Sequence, residues 1–383
     1  MKSIIKAGAA VLVSAAVALG LGEMILRFAL NPGDFILAKV VAHPVLGHHI
    51  PANTPGHDAD GFRNQAVPDA AEIIAIGDSM TYGVSATRQG SWPHRLAGML
   101  KRPVYNMGLG GYGPLQYLQL VRDKAGRLAP KLVVVALYVG NDLIDAYDTA
   151  HDLDHWRSWR KSTRIAGGKS ATAIALEAEP QRIAGDLRGW LARNSMFYSV
   201  LRATVLVRFS ATEREFLARR NVGGVWIPWT DPERPAIKTI FAPELFRTSL
   251  DPADARVSEG LAITKDALIE IGAETKRLGA RLLVVLIPTK GRVYCPYMKA
   301  TGAALAPAFA WECETESKVM DAIASHLVRA GIAHIDVTNA LQSYVASHVA
   351  IYPDHSDDHP TATGYGVIAG EVAKAVAPLL DAP

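Results

Sequence analysis

The chain has 383 residues, about half of them hydrophobic, and its 40 basic side chains are nearly balanced by 37 acidic ones for a net charge of +3. That much apolar sequence supports a large buried core and excludes wholesale disorder. Charges so evenly matched supply no basic stripe, so no nucleic-acid partner is expected.

The N-terminus opens with Lys2 and Lys6, followed by an uncharged run from Ala7 to Gly22 and then by Glu23 and Arg27. Sixteen uncharged residues fall short of the roughly 20 that span a bilayer. Glu23 and Arg27 stand four apart, so they can pair and carry an apolar helix on to Leu30. Residues 1–30 therefore read as a retained membrane anchor; the competing reading is a signal peptide cleaved near Ala16-Val17-Ala18. Both place the rest of the chain in the cell envelope: anchored in the inner membrane with the main domain on the periplasmic side, or secreted. Cys295 and Cys313 fit that oxidising compartment, since a disulfide between them would close a loop of about 19 residues and contribute roughly 3 kcal/mol. Two free buried thiols are the alternative.

Residues 31–70 form a turn-rich connector, with Asn31-Pro32-Gly33, His48-His49 and Asn53-Thr54-Pro55-Gly56 as breakers. From residue 71 the pattern becomes regular. A strand at Ile73–Ile76 ends in Gly77, a helix runs from Trp92 to Leu100, and a second strand begins at Val104. A glycine-rich turn leads to a helix over Pro114–Leu128 and a strand over Leu132–Val139. The segment of about 143–252 breaks the alternation yet holds five of the seven tryptophans (Trp156, Trp159, Trp190, Trp226, Trp229), and reads as an inserted, mostly helical cap. The alternation resumes with a helix over Val257–Leu278, a strand over Arg281–Ile287, a helix over Ser317–Ala330, a strand over Ala333–Val337 and a helix over Gly364–Leu380. The fold class is α/β, a doubly wound parallel sheet spanning 71–383.

In such a sheet ligands bind beyond the carboxyl ends of the strands. The first strand ends in Gly77-Asp78-Ser79, the second in Asn106-Met107-Gly108-Leu109-Gly110-Gly111, and the third in Gly140-Asn141-Asp142. A base for the serine comes from the loop before the last helix, Asp354-His355-Ser356-Asp357-Asp358-His359-Pro360, since an imidazole oriented by a carboxylate is what acyl transfer needs.

At these residues the chain resembles the SGNH/GDSL hydrolases, whose Ser, Gly, Asn and His blocks occur here in that order across about 60–142 and 255–380. The resemblance implies a flavodoxin-like sheet and an ester hydrolase needing no cofactor. Ser79 would be the nucleophile and His359 the general base. Ser79 and Gly111 backbone N–H groups and the Asn141 amide would bind the oxyanion. The family's usual acid position holds Ser356, and Asp357, two residues before the histidine, matches an Asp-x-His variant; it is preferred to Asp358 and Asp354. The substrate would be an acylated lipid, small ester or acetylated carbohydrate. The same triad serves a polysaccharide O-acyltransferase, the alternative enzyme. A degenerate carbohydrate-binding module is the non-enzyme alternative.

Other features read more blandly. His355 and His359 stand at a metal-ligand spacing, but Pro360 interrupts any helix, so no metal is expected. Gly108, Gly110 and Gly113 match a dinucleotide fingerprint, yet Pro114 follows directly and no acidic residue closes a second strand. His155–Lys161 would touch headgroups or carbohydrate, or form a solvated helix face. Gly61-Phe62-Arg63-Asn64 resembles a segment of membrane-anchored relatives without an assigned role, and Lys290 and Arg292 either steer an anionic substrate or are solvated.

Overall fold

The computed structural model describes residues 2–36, 38–165, 167, 170, 172–173, 187–206 and 226–381. Much of the expected cap, 174–186 and 207–225, lies outside them. Helix α1 (Lys2–Ala29) leads to a ribbon of antiparallel strands β1 (Val41–His43) and β2 (Gly47–His49). The core follows with β3 (Ile73–Gly77), the one-turn helix α2 (Ser79–Tyr82), α3 (Trp92–Leu100), β4 (Val104–Gly108), α4 (Pro114–Asp123), β5 (Leu132–Tyr138) and α5 (Asp142–Asp152). Next come α6 (Leu187–Asn194), α7 (Met196–Leu201) and a second antiparallel ribbon, β6 (Ile227–Thr230) with β7 (Lys238–Phe241). The remainder comprises α8 (Pro243–Leu250), α9 (Ala255–Arg277), β8 (Arg281–Ile287), α10 (Lys290–Ala300), α11 (Pro307–Ala330), β9 (Ala333–Asp336), α12 (Thr338–Ala346) and α13 (Ala362–Asp381).

Five strands pair in the order β4-β3-β5-β8-β9, every pair parallel. All seven residues of β5 are buried, as expected of a central strand covered on both faces. Alternate side chains feed two cores. Ile74, Ile76, Val133, Val135, Val284 and Leu286 pack against α4, α5, α9 and the second half of α11. Ile73, Ala75, Val134, Ala136, Val285 and Ile287 pack against α3, α10, α12 and α13. The chain leaves β3 for β4 on one side and returns to β5 on the other. The carboxyl ends of β3 and β5 therefore flank the switch point, where doubly wound sheets form their crevice.

Each of the five expected strands is present. Helix α11 begins ten residues before the expected Ser317, and α10 and α12 were not expected at all. Helix α5, which the hydropathy pattern assigns to the insertion, buries Leu143, Ala146 and Ala150 in the core. The tryptophans of the 143–252 stretch do not gather in one place. Trp156 is fully buried in the main core with its N–H on the Val45 carbonyl at 2.8 Å, Trp229 packs on Tyr294, and Trp190 is exposed. A disulfide between Cys295 and Cys313 joins α10 to α11, with the Cα atoms 6.5 Å apart.

Candidate active site

Gly77 ends β3 where no side chain fits: a Cβ there would fall 2.1 Å from Thr81 Oγ1 and 2.9 Å from the Ala136 carbonyl. Asp78 caps the short helix α2, its Oδ1 accepting the Met80 N–H at 2.9 Å and its Oδ2 the Ser79 hydroxyl at 3.2 Å. Burial raises the Asp78 pKa to about 6, although the Met80 N–H and the nearby His359 imidazole pull it back. The turn is held from below by the connector. Arg63 donates to the carbonyls of Gly83 at 2.8 Å and Ala86 at 2.9 Å. Asn106 donates to the Thr81 carbonyl at 2.8 Å and in turn its own carbonyl accepts from Asn64 at 2.9 Å.

The glycine-rich turn after β4 lies against the serine. Leu109 N–H donates to the Gly77 carbonyl at 3.1 Å, and a Cβ built on Gly110 would stand 3.6 Å from the Ser79 Cβ. Gly111 has φ +76°, a left-handed conformation that suits glycine. The Gly110 carbonyl is gripped by the buried His48, whose Nε2 lies 2.9 Å away while its Nδ1 meets Thr172 Oγ1 at 3.2 Å. A carbonyl only accepts, so Nε2 carries the proton and Nδ1 accepts from threonine. Burial lowers the His48 pKa, consistent with that neutral form. Across a trans peptide the C=O and N–H point in opposite directions. The Gly111 N–H is thus aimed away from His48, and among the described residues it has no acceptor.

At the end of β5, Asp142 is locked by the Tyr117 hydroxyl at 2.8 Å and the Tyr138 N–H at 2.9 Å, and burial pushes its pKa well up. Asn141 precedes α5 but makes no side-chain capping bond. Its buried Oδ1 has no partner among the described residues, so the amide is not consumed by local structure.

The loop before α13 carries the imidazole. His359 Nδ1 meets Asp357 Oδ1 at 2.5 Å, and the His359 backbone N–H donates to the same oxygen at 3.0 Å. The other Asp357 oxygen accepts from the Ser85 hydroxyl. Burial acts to raise the Asp357 pKa, but the His359 and Ser85 hydrogen bonds prevail and hold it well below the usual carboxylate range. Asp358 faces Lys290 at 3.4 Å, and His355 accepts the Asp357 N–H at 3.3 Å. The Ser85 contact and the Tyr365 hydroxyl, which donates to the Val84 carbonyl at 3.0 Å, fasten this loop and α13 to the chain just after α2. Sequence positions 79 and 359 are thereby brought to the same sheet edge, with Gly111 and Asn141 on the neighbouring strand ends.

Lys290 is neither solvated nor available to steer a substrate, contrary to the expectation for it. Its side chain is fully buried, and Nζ donates to the carbonyls of Ile240 at 2.8 Å, Asp357 at 3.0 Å and His355 at 3.1 Å. The ammonium ties the imidazole-bearing loop to β7. In His155–Lys161 the side chains of His155, Arg157, Ser158 and Lys161 are exposed, as on a solvated helix face, while Arg160 donates to the Ala150 carbonyl at 2.7 Å and Lys161 pairs with Asp266 at 2.6 Å. No group of three or more His, Cys, Asp or Glu side chains among the described residues is disposed to hold a metal. Of the supporting residues, sequence reasoning missed His48 and Asn106 and gave Arg63 and Asn64 no role; only the Gly61–Asn64 motif carried a signal.

Residues 75–193 match the model of the GDSL-like lipase/acylhydrolase family, and residues 245–382 match that of the SGNH hydrolase-like domain of the acetyltransferase AlgX. No curated protein matches the chain. Similar solved structures include a catalytic mutant of Axe2, an acetylxylan esterase from Geobacillus stearothermophilus (11% identity, 83% of this chain and 97% of that one, TM-score 0.39). A GDSL-like lipase from Bacteroides thetaiotaomicron shares 9% identity over 79% of this chain and 86% of its own, with TM-score 0.35. An α/β hydrolase from a Lake Arreo metagenome shares 12% identity over 82% and 99%, with TM-score 0.38.

Proposed function

This chain belongs to the SGNH/GDSL hydrolases, and on that premise we propose that it is a serine ester hydrolase of the cell envelope working through an acyl-enzyme on Ser79. The observation that carries the proposal is the fastening of the Asp357–His359 pair over the Ser79 turn, through Ser85 and Tyr365. Asp357 keeps the proton on Nδ1, which leaves Nε2 as the base. Ser79 Oγ attacks the ester carbonyl as its proton passes to Nε2. The resulting oxyanion accepts from Ser79 N–H, from Gly111 N–H and from the Asn141 amide. Collapse returns the proton to the departing alcohol. Water, deprotonated by His359, then releases the acid and restores the serine.

The substrate class is an acylated lipid, a small ester or an acetylated carbohydrate. A second reading, O-acyltransfer to a polysaccharide hydroxyl, is supported by the match of the His359-bearing half to an acetyltransferase domain; there a sugar hydroxyl replaces water in the second step. The envelope placement rests on α1, whose stretch Lys6–Ala29 has mean hydropathy 2.1 and holds no buried residue. With purified protein, a short-chain aryl ester and an oligosaccharide acceptor, Ser79→Ala is expected to lower aryl release by about 10⁴-fold or more. Free acid as the main product marks a hydrolase, acylated sugar marks a transferase, and an unchanged rate in the variant overturns the proposal.

A further inference from the structure

The C-terminal turns of α1 are built into the folded domain. Glu23 accepts the backbone N–H groups of Met196 at 2.8 Å and Phe197 at 3.0 Å and the Ser195 hydroxyl at 3.0 Å. Arg27 pairs with Glu23 at 2.7 Å and donates to the Asn194 carbonyl at 2.6 Å. A Cβ on Gly22 would stand 3.7 Å from the Phe197 ring, so α7 lies directly on α1. Glu23 stands seventeen residues after Lys6, about 25 Å along a helix rising 1.5 Å per residue, against a hydrocarbon core of roughly 30 Å. With Lys6 at the near boundary, the contact therefore lies within about 5 Å of the far headgroup boundary.

The helices that meet α1 there also expose apolar side chains. Leu187 and Trp190 share one face of α6 and are 68% and 60% exposed, and Phe197 and Leu201 share one face of α7 at 39% and 36%. Residues 187–206 include three arginines, Arg188, Arg193 and Arg202, and no acidic residue. Apolar and aromatic side chains on short helices with an exclusively basic charge are the composition of an element lying in a membrane interface. The occupant is a bilayer surface because α1, which α7 and the end of α6 touch through Glu23 and Arg27, itself exposes Met24, Ile25 and Phe28 in the same turns.

We propose that α6 and α7 rest in the headgroup layer of the bilayer that α1 crosses, so that the catalytic domain is seated on the membrane through Leu187, Trp190, Phe197 and Leu201. The inference rests on the anchor reading of α1. It goes beyond that reading in making the helix an uncleaved, integral part of the fold, because cleavage near Ala18 would release neither Glu23 nor Arg27 but would remove the span that holds the pair at the surface.

The test places the fluorophore NBD on single cysteines introduced into the full chain, whose native pair is disulfide-bonded. Trp190→Cys and Leu201→Cys probe the surface, Val13→Cys probes the middle of α1, and Tyr344→Cys on α12 is the distant control. Each is reconstituted in nanodiscs of phosphatidylcholine and phosphatidylglycerol with and without doxyl-labelled lipid. Positions 13, 190 and 201 are expected to lose emission several-fold relative to 344. Quenching at 13 with positions 190 and 201 as bright as 344 overturns the seating while leaving the anchor intact. No quenching at 13 overturns the anchor reading and the seating with it.

Discussion

In the proposed mechanism a residue outside the four blocks, His48, positions one of them. Its imidazole holds the Gly110 carbonyl and so fixes the direction of the Gly111 N–H. Replacing it with alanine would leave that carbonyl unpaired and the peptide free to rotate. His48→Ala is expected to lower kcat about 10-fold or more with a smaller change in KM, because the oxyanion forms only as the reaction proceeds. His48→Gln, whose amide offers a donor at the position of Nε2, is expected to recover most of the loss. Equal loss in both variants, or a change confined to KM, would contradict the role. Composition gave no hint of it: a histidine pair in a turn-rich connector looks like solvated sequence until the partner peptide is seen. In α5, Asp142 and Asp145 are both buried, and burial pushes their pKa values well up.

Among elements, the five strands were legible because a two-face-buried strand is a short, unbroken apolar run. Helices α10 and α12 were not. Helix α10 carries Gly291 near its start and Pro296 within, both signs of a loop, and is held instead by Thr289 as its cap and by the disulfide to α11. Lys290, at the first position of α10, is also what ties the Asp357–His359 loop to β7. Lys290→Met would strand three carbonyls and the Asp358 carboxylate without their cation. A loss of about 3–5 kcal/mol in urea unfolding is expected from breaking such a buried arrangement on one side, with a fall in kcat as the loop loosens. A variant within about 1 kcal/mol of the parent would show that the ammonium contributes little and that the loop is held by Ser85 and Tyr365.

For the whole molecule, the order of the strands explains why residues from the two ends of the chain cooperate. With β3 and β5 adjacent and β4 outside them, Ser79, Gly111 and Asn141 emerge on one edge, and α13 returns along the α3 side to bring its preceding loop there. The candidate site was readable as four blocks in order; its scaffold was not, because Arg63, Asn64 and His48 act on backbone carbonyls, and even the Gly61–Asn64 motif that stood out did not show what it holds. The most direct measurement is the rate at which a fluorophosphonate labels the chain, followed by intact mass and by peptide mapping. The account predicts a single adduct on Ser79, formed far more slowly in His359→Ala. An adduct elsewhere, or the same rate without the imidazole, would contradict it.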